Sequence, residues 1–324
     1  MFNSALRACL IALAALVVPA QVLAQAYPTQ TIKVVVGFPP GGTTDVIGRI
    51  VAQELAEGLG KSVVVDNRGG ASGIIGMESA ARAAPDGYTL VLAASSQLAV
   101  NPALMSKLPY DTTRDFQPVI LLARTPSLLV VGSTQPVKTL SELVSLAKAK
   151  PGALNFASQG NGTGGHLAGE LFNQLTGTDI AHVPYKAYSQ ILPDLFSGQV
   201  TMIIDGPPVL LPQIQAGKLR ALAVNSAKRL PPLPEVPTFD EAGVPGFWPG
   251  PWYGVLAPAG TPPKVVEAVN AAFRQALKKS DVVETAVAQG QTLVGAGPAE
   301  FSVFIRDEST RYARLIKQTG AHLD

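Results

Sequence analysis

The sequence predicts an α/β protein of two lobes, each a sheet flanked by helices, with a ligand cleft between them. Two observations carry that expectation. Short β-branched runs alternate with amphipathic segments along most of the chain, the pattern of strands joined by crossover helices. The alternation comes as two series, separated by a long apolar stretch at 121–131 and rejoined by a second apolar run at 252–256, so the chain crosses twice between two sheets. Ligands in such sheets bind at the carboxyl ends of strands.

The chain opens on a targeting segment. Arg7 is its only charge, an apolar run spans 8–18, and Ala24 and Ala26 are small residues suited to cleavage. This is the pattern of a secretory signal peptide ending near residue 26, and its apolar run is too short to span a membrane. The mature protein is therefore expected to be exported. Cys9, the single cysteine, lies in this segment, so the mature chain has no thiol, disulfide or cysteine metal ligand. Of the 25 Lys and Arg residues, Arg7 leaves with the leader, and the remaining 24 face 23 Asp and Glu. So even a balance gives nucleic acid no footing.

The first series begins with a strand at 32–36, where Ile32 and three valines favour a buried extended run. Pro39, Pro40, Gly41 and Gly42 then force an irregular loop, and Thr43, Thr44 and Asp45 are good helix-start residues for a helix over 44–59. Such a loop gathers unpaired N–H groups at the positive end of a helix, which makes an anion site out of backbone. Asp45 is read as capping the helix, because a carboxylate there would repel a bound anion. Phe38, in the same loop, is placed to touch an apolar or aromatic ligand body. A strand at 62–65, a helix at 74–83 and a strand at 89–93 follow, separated by turn signals at 67–73 and 85–87. A parallel sheet is expected up to about residue 120.

The second series reads as a helix at 139–149, a strand at 154–157, a helix at 166–175 and strands at 180–183, 200–204 and 219–224. Leu167, Leu171 and Leu175 recur every four residues beside Phe172, which marks a core face. A proline-rich loop at 231–237 leads to the return run at 252–256. Two helices close the chain, at 262–277 with Val265, Val269, Phe273 and Leu277 on one side, and at 299–317 with Phe301, Phe304, Ile305, Tyr312, Leu315 and Ile316. The expected lobes are 27–122 with 226–324, and 123–225.

Several chemistries are tested and set aside. The run Gly160-Asn161-Gly162-Thr163-Gly164-Gly165 fits GxGxxG between a strand and a helix, but the next strand ends in Pro184-Tyr185-Lys186 with no acid for a ribose. A second anion-receiving helix start, with Ser158, Thr163 and His166 at the cleft, explains the same residues. His166, His182 and His322 are the only histidines and none stands at a metal-binding spacing. No GxSxG supports a serine nucleophile. Lys186, at a strand end, is placed to complement a carboxylate. Trp248, Trp252 and Tyr253, in a Gly/Pro-rich stretch, are read as hinge packing.

The residues resemble a known family, the periplasmic solute receptors of tripartite tricarboxylate transporters, also called Bug proteins. The resemblance spans the mature chain. It is carried by Tyr27-Pro28, Gly37-Phe38-Pro39-Pro40-Gly41-Gly42 with Asp45, Asn67-Arg68, Pro85-Asp86-Gly87-Tyr88-Thr89-Leu90, Asn101-Pro102 and Leu108-Pro109-Tyr110-Asp111. It continues through Gly162-Thr163-Gly164-Gly165-His166-Leu167, His182-Val183-Pro184-Tyr185-Lys186, Gly198-Gln199-Val200, Gly217-Lys218-Leu219-Arg220-Ala221 and Ala257-Pro258-Ala259-Gly260-Thr261-Pro262.

The resemblance implies a two-lobed type II periplasmic binding protein fold that closes on a small organic carboxylate and delivers it to a membrane permease. It assigns carboxylate holding to Phe38, Gly41, Gly42, Thr43 and Asp45, with Ser95 and Ser96 on a neighbouring strand end. Ser158, Thr163, His166, Lys186 and Asp205 fall on the side that selects the rest of the ligand. Ala187 stands where the family usually has glycine, and its methyl narrows backbone approach there. The expectation is a periplasmic, monomeric, non-enzymatic binding protein with no cofactor and no metal, partnered by a tripartite tricarboxylate transporter. A sensory receptor or an exported hydrolase using the same cleft are the alternatives.

Overall fold

The computed structural model describes residues 27–105, 107–247 and 250–319. The leader and Trp248 lie outside the described residues. The strands form two mixed sheets. In the first, β1 (Ile32–Val36) lies between β2 (Val63–Asn67) and β3 (Thr89–Ala94), all parallel, as the sequence predicts. Beyond β3 the direction changes. The strand β4 (Phe116–Arg124) does not pair with β3, because the returning chain inserts β10 (Trp252–Pro258) antiparallel between them, and β11 (Thr292–Ala296) closes the edge on β4. The parallel reading therefore holds for three strands only.

The second sheet has the order β7 (Ala181–Pro184), β6 (Asn155–Ser158), β8 (Met202–Asp205), β5 (Leu128–Gly132), β9 (Leu219–Val224). The apolar stretch at 121–131 is thus two strands in different sheets, cut at Thr125, Pro126 and Ser127 where the chain crosses.

Helices cover both faces of each sheet. On the first lobe, α1 (Thr43–Leu59) and α8 (Pro263–Ala276) pack over Val34, Val36, Leu90 and Leu92. The opposite face meets α2 (Ile74–Ala81), α3 (Asn101–Leu104) and the long α10 (Pro298–Thr319), around the fully buried Trp252. The remaining first-lobe helix, α9 (Ser280–Ala288), buries only Ala286. On the second lobe, α4 (Leu140–Ala149) starts on a capping box, with Thr139 accepting from the Glu142 amide while Glu142 accepts from the Thr139 amide. The other three are α5 (Gly164–Thr176), α6 (Tyr188–Ser197) and α7 (Pro207–Gln215).

Two expectations are corrected here. Residues 226–247 were assigned to the first lobe, but Leu230, Leu233 and Val236 pack in one core of the second sheet, and Phe239 and Val244 in the other. The proline spacing hides any periodicity that could have shown this. Trp252 is likewise no hinge residue but part of a strand inside the first sheet, so the return crossing lies just before it.

The two crossings run side by side. The Thr125 amide donates to the Pro251 carbonyl at 2.8 Å and joins them, while the Asn225 amide, just past β9, donates to the Ser127 carbonyl at 3.0 Å and ties the first crossing to the second sheet. A Cβ at Gly250 would stand 2.0 Å from the Thr125 carbonyl oxygen, so only glycine allows this approach.

Candidate functional site

The carboxyl ends of β1, β3, β6 and β8 face each other across the lobes and enclose a cavity of about 70 Å³. Its lining is rich in hydroxyls and short of charge. Thr43, Thr44, Ser95 and Ser96 come from the first lobe, Ser158 and Thr163 from the second, and Ser127 from the crossing. Gln159, Asn225 and Asp205 add polar groups, while Phe38, Phe247, Tyr253 and Ile204 supply apolar walls. Among the described lining residues there is no Lys, Arg or His.

The first loop is built largely by local chemistry. Gly41, at φ 90°, turns the chain into α1, and its amide donates to Asp45 Oδ2 at 2.9 Å. Asn67 Nδ2 reaches both Asp45 Oδ1 (2.9 Å) and the Phe38 carbonyl (3.1 Å), and Arg49 Nε adds a third donor to Asp45 at 3.0 Å. Asp45 thus spends its oxygens on the loop. Burial alone would raise its pKa, but the Gly41 and Asn67 hydrogen bonds and the Arg49 guanidinium outweigh it and hold the carboxyl below the usual range.

That depression has a sign. A carboxylate lowered in the fold stabilises it above the unfolded value near about pH 4, and the contribution is lost as pH falls through the lowered value. We expect Asp45→Asn to cost about 1 to 3 kcal/mol near neutral pH. In urea unfolding the gap to the native protein should narrow as pH falls below about 4. A gap that stays constant with pH would refute the assignment.

The second lobe presents α5. Thr163 caps it, accepting from the His166 amide at 3.5 Å and donating to the Gly160 carbonyl at 2.7 Å. No acid stands in its first turn, whereas α1 carries Asp45. Gly164 and Gly165 line the cavity, and a Cβ added at Gly164 would meet nothing within 4 Å. The positive end of α5 is therefore open and uncompensated.

Asp205 is the one acid among the described lining residues. Burial raises its pKa, against hydrogen bonds from the Gly206 amide, Thr43 and Gln159. Thr43 Oγ1 donates to Asp205 Oδ1 at 2.9 Å, which joins the lobes across the cleft. Three further contacts show the lobes closed on each other. Ser72 Oγ donates to the Asn161 carbonyl, Gln159 stands against Gly42, and Leu167 packs into the first lobe's core.

Seven of the residues singled out from the sequence meet at the cavity: Phe38, Thr43, Ser95, Ser96, Ser158, Thr163 and Asp205. Five do not line it. Gly41, Gly42 and Asp45 shape the loop behind it. His166, two residues beyond Gly164 on the helix, turns back onto Phe156 and His182. Lys186 is exposed, because it follows β7, the edge strand of its sheet.

The sequence reading missed Thr44, Ser127, Gln159, Asn225, Phe247 and, as a lining residue, Tyr253. Gln159 follows Ser158 directly and could have been found as a strand-end neighbour. Ser127, Asn225 and Phe247 come from the crossings and their flanks, which carry no periodic signal. Gln97 was also missed. Buried completely, it accepts from the Ala94 amide at 2.9 Å and holds the turn that presents Ser95 and Ser96.

Ser158 Oγ lies 2.7 Å from His182 Nε2, the spacing of a nucleophile and its base. Burial and the neighbouring His166 ring hold His182 down to about 4, too acidic to take a serine proton at neutral pH. The Ser158 hydroxyl is also engaged by Gly160, to whose carbonyl it donates at 2.9 Å. The pair braces a loop.

Comparison with known proteins agrees with this architecture. The chain is 42% identical to protein BugT of Bordetella pertussis over 307 residues, 94% of each chain. A solved structure described as a periplasmic transporter superposes with a TM-score of 0.89 at 43% identity, covering 92% of this chain and all of that one. The protein Rpa4515 of R. palustris, solved with adipate, gives 0.87 at 38% identity over 92% of this chain and 100% of its own. Residues 47–321 match the model of the tripartite tricarboxylate transporter family receptor. On its sequence, its two-lobed fold and the cleft between the lobes, the chain belongs to the tripartite tricarboxylate transporter receptor family, whose members are solute-binding proteins.

Proposed function

We propose that this protein is a periplasmic receptor that closes on one small organic carboxylate and hands it, unchanged, to the membrane subunits of a tripartite tricarboxylate transporter. It acts as a monomer and needs no cofactor. One observation carries the reading: a cavity lined by hydroxyls and amides, with no cationic side chain among the described residues, stands at the open positive end of α5. Such a site neutralises about half a charge by the helix end and satisfies oxygens by neutral donors. The carboxylate sits at Gly164 and Gly165, with the hydroxyls of Thr44, Ser95 and Ser96 as donors and Phe38 against the ligand body, while Thr43, Ser158 and Thr163, whose protons go to Asp205 and the Gly160 carbonyl, shape the wall. Gly41, Gly42 and Asp45 act by shaping the first loop. The adipate bound by Rpa4515 supports the carboxylate class.

The test is thermal unfolding of the mature protein, refolded to strip carried ligand, against citrate, malate, glutamate, adipate, nicotinate, benzoate and terephthalate. A ligand at about one hundred times its dissociation constant adds about 2.7 kcal/mol, which moves the midpoint by several degrees. One clear responder recovered chemically intact is the expected result. A flat panel would refute the carboxylate reading, and a consumed responder would make the protein an enzyme.

A further inference from the structure

Much of the closed interface hangs on one short stretch of the second lobe, residues 158–167. Ser158, Gln159, Thr163, Gly164 and Gly165 line the cavity, Asn161 takes the hydroxyl of Ser72, and Leu167 enters the first lobe's core. This stretch leans on two stacked imidazoles. The His166 and His182 ring centroids are 4.1 Å apart at 30°, and Phe156 stacks on His182 at 5.0 Å. The contact is possible because Gly169, on α5, has no Cβ: one there would stand 2.2 Å from the Phe156 ring.

The hydrogen bonds specify the protonation. His166 Nδ1 accepts the Gly162 amide at 3.0 Å, so that nitrogen carries no proton and the ring is neutral. Ser158 Oγ donates to the Gly160 carbonyl and therefore accepts from His182 Nε2. Each ring thus fixes one end of the 158–163 loop.

We propose that His166 and His182 are positioning residues that hold the cleft-closing stretch 158–167 in its binding form only while both rings are unprotonated, so that proton uptake by the pair releases the ligand. This rests on the reading of the cavity as the ligand site. A proton on His166 Nδ1 sets two donors against each other at Gly162, and two charged rings at this stacking distance repel. The groups facing the pair are Phe156 and Ser158 of β6, Gly162 and Thr163 before α5, and Glu170 within it. Glu170 Oε1 stands 3.7 Å from His166 Nε2, and its own pKa is raised by burial and by Asp179. It is a ready partner for an imidazolium that has let go of Gly162.

The sign follows. Burial lowers both histidines in this closed form, His182 to about 4, and release of the stretch returns them towards the free value of about 6.5. The open form then binds protons more tightly, so closure is favoured at neutral pH and lost as pH falls below about 6.5.

The experiment is calorimetric titration with adipate at about pH 7.5 and about pH 5.5 on the native protein and on His166→Asn/His182→Gln, in which Asn keeps an acceptor for Gly162 and Gln a donor for Ser158. The ligand's own ionisation is common to both proteins, so their difference isolates the histidines. The native protein should lose about tenfold more affinity than the double variant over this range. Equal losses would overturn the proposal. If adipate binds neither protein, adipate is not this receptor's ligand, and proton NMR of the native protein decides the histidines alone. Both imidazoles should titrate below about 6.5 with the Gly162 amide shift following His166, and ordinary titration with a silent Gly162 would overturn the proposal. The same NMR titration decides if the double variant does not fold.

Discussion

Gly164→Leu should abolish ligand binding and leave the protein as stable as before. The two halves of this expectation come from two observations: an added Cβ at Gly164 meets nothing within 4 Å, and Gly164, exposed on one side, borders the cavity at the start of α5. Glycine at the first position of a helix carries an entropy cost, so leucine there adds up to about 1 kcal/mol of helix propensity. The isobutyl group meanwhile crowds the rim of the cavity of about 70 Å³ and screens the amides at the start of α5. We expect affinity for the responding carboxylate to fall at least about a hundredfold, about 2.7 kcal/mol, with an unchanged or higher melting midpoint. Calorimetry and thermal unfolding on the same preparation decide it. Retained affinity would place the carboxylate elsewhere in the cleft.

Trp252→Ala should be the most damaging single truncation in the first lobe. Trp252 is 2% exposed, stands edge-on to Phe301 and Phe304 at 5.9 and 5.0 Å, and donates from Nε1 to Glu308 Oε2 at 2.8 Å. Truncation opens a cavity and takes a donor from a buried carboxylate that keeps Arg311 beside it at 3.3 Å. Such changes cost about 3 to 5 kcal/mol, more than half the stability of many domains. Urea unfolding should show this loss, and Trp252→Phe, which keeps the ring contacts but not the donor, should recover most of it. A loss under about 1 kcal/mol would mean that α10 does not depend on this contact.

How much of the molecule was legible in the sequence depends on how local each cause is. The loop from Phe38 to Asp45 was readable because valines, prolines, glycines and a helix start stand in one run, and the hydrogen bonds of Gly41 and Asn67 to Asp45 complete it. The helix at α5 was readable from its leucine spacing. What failed was non-local. Nothing in the run Leu121 to Val131 says that its halves belong to different sheets, since that is decided by the distant strand β10 inserting beside β4. Pro207, Pro208 and Pro212 concealed α7, although the first two stand in its first turn, where proline does no harm, and only Pro212 is inside it. Lys186 looked like a cleft residue because strand ends line clefts, but only the sheet order shows that its strand is at the edge. Ser95 and Ser96 were found by resemblance alone, and the residue that presents them, Gln97, has no sequence signature.

The two tethers between the lobes have a consequence for motion. A single connecting strand would let one lobe swivel about any axis, but here the connections are adjacent and bonded to each other through the Thr125 amide and the Pro251 carbonyl. Two coupled tethers behave as the pins of a door, leaving one soft rotation and resisting twist and slide. Closure then has one coordinate, the opening angle. The width of the mouth, the Thr43 to Asp205 bridge and the seating of Leu167 all vary with that angle together, so a solute that props the lobes apart by a small amount weakens every closing contact at once.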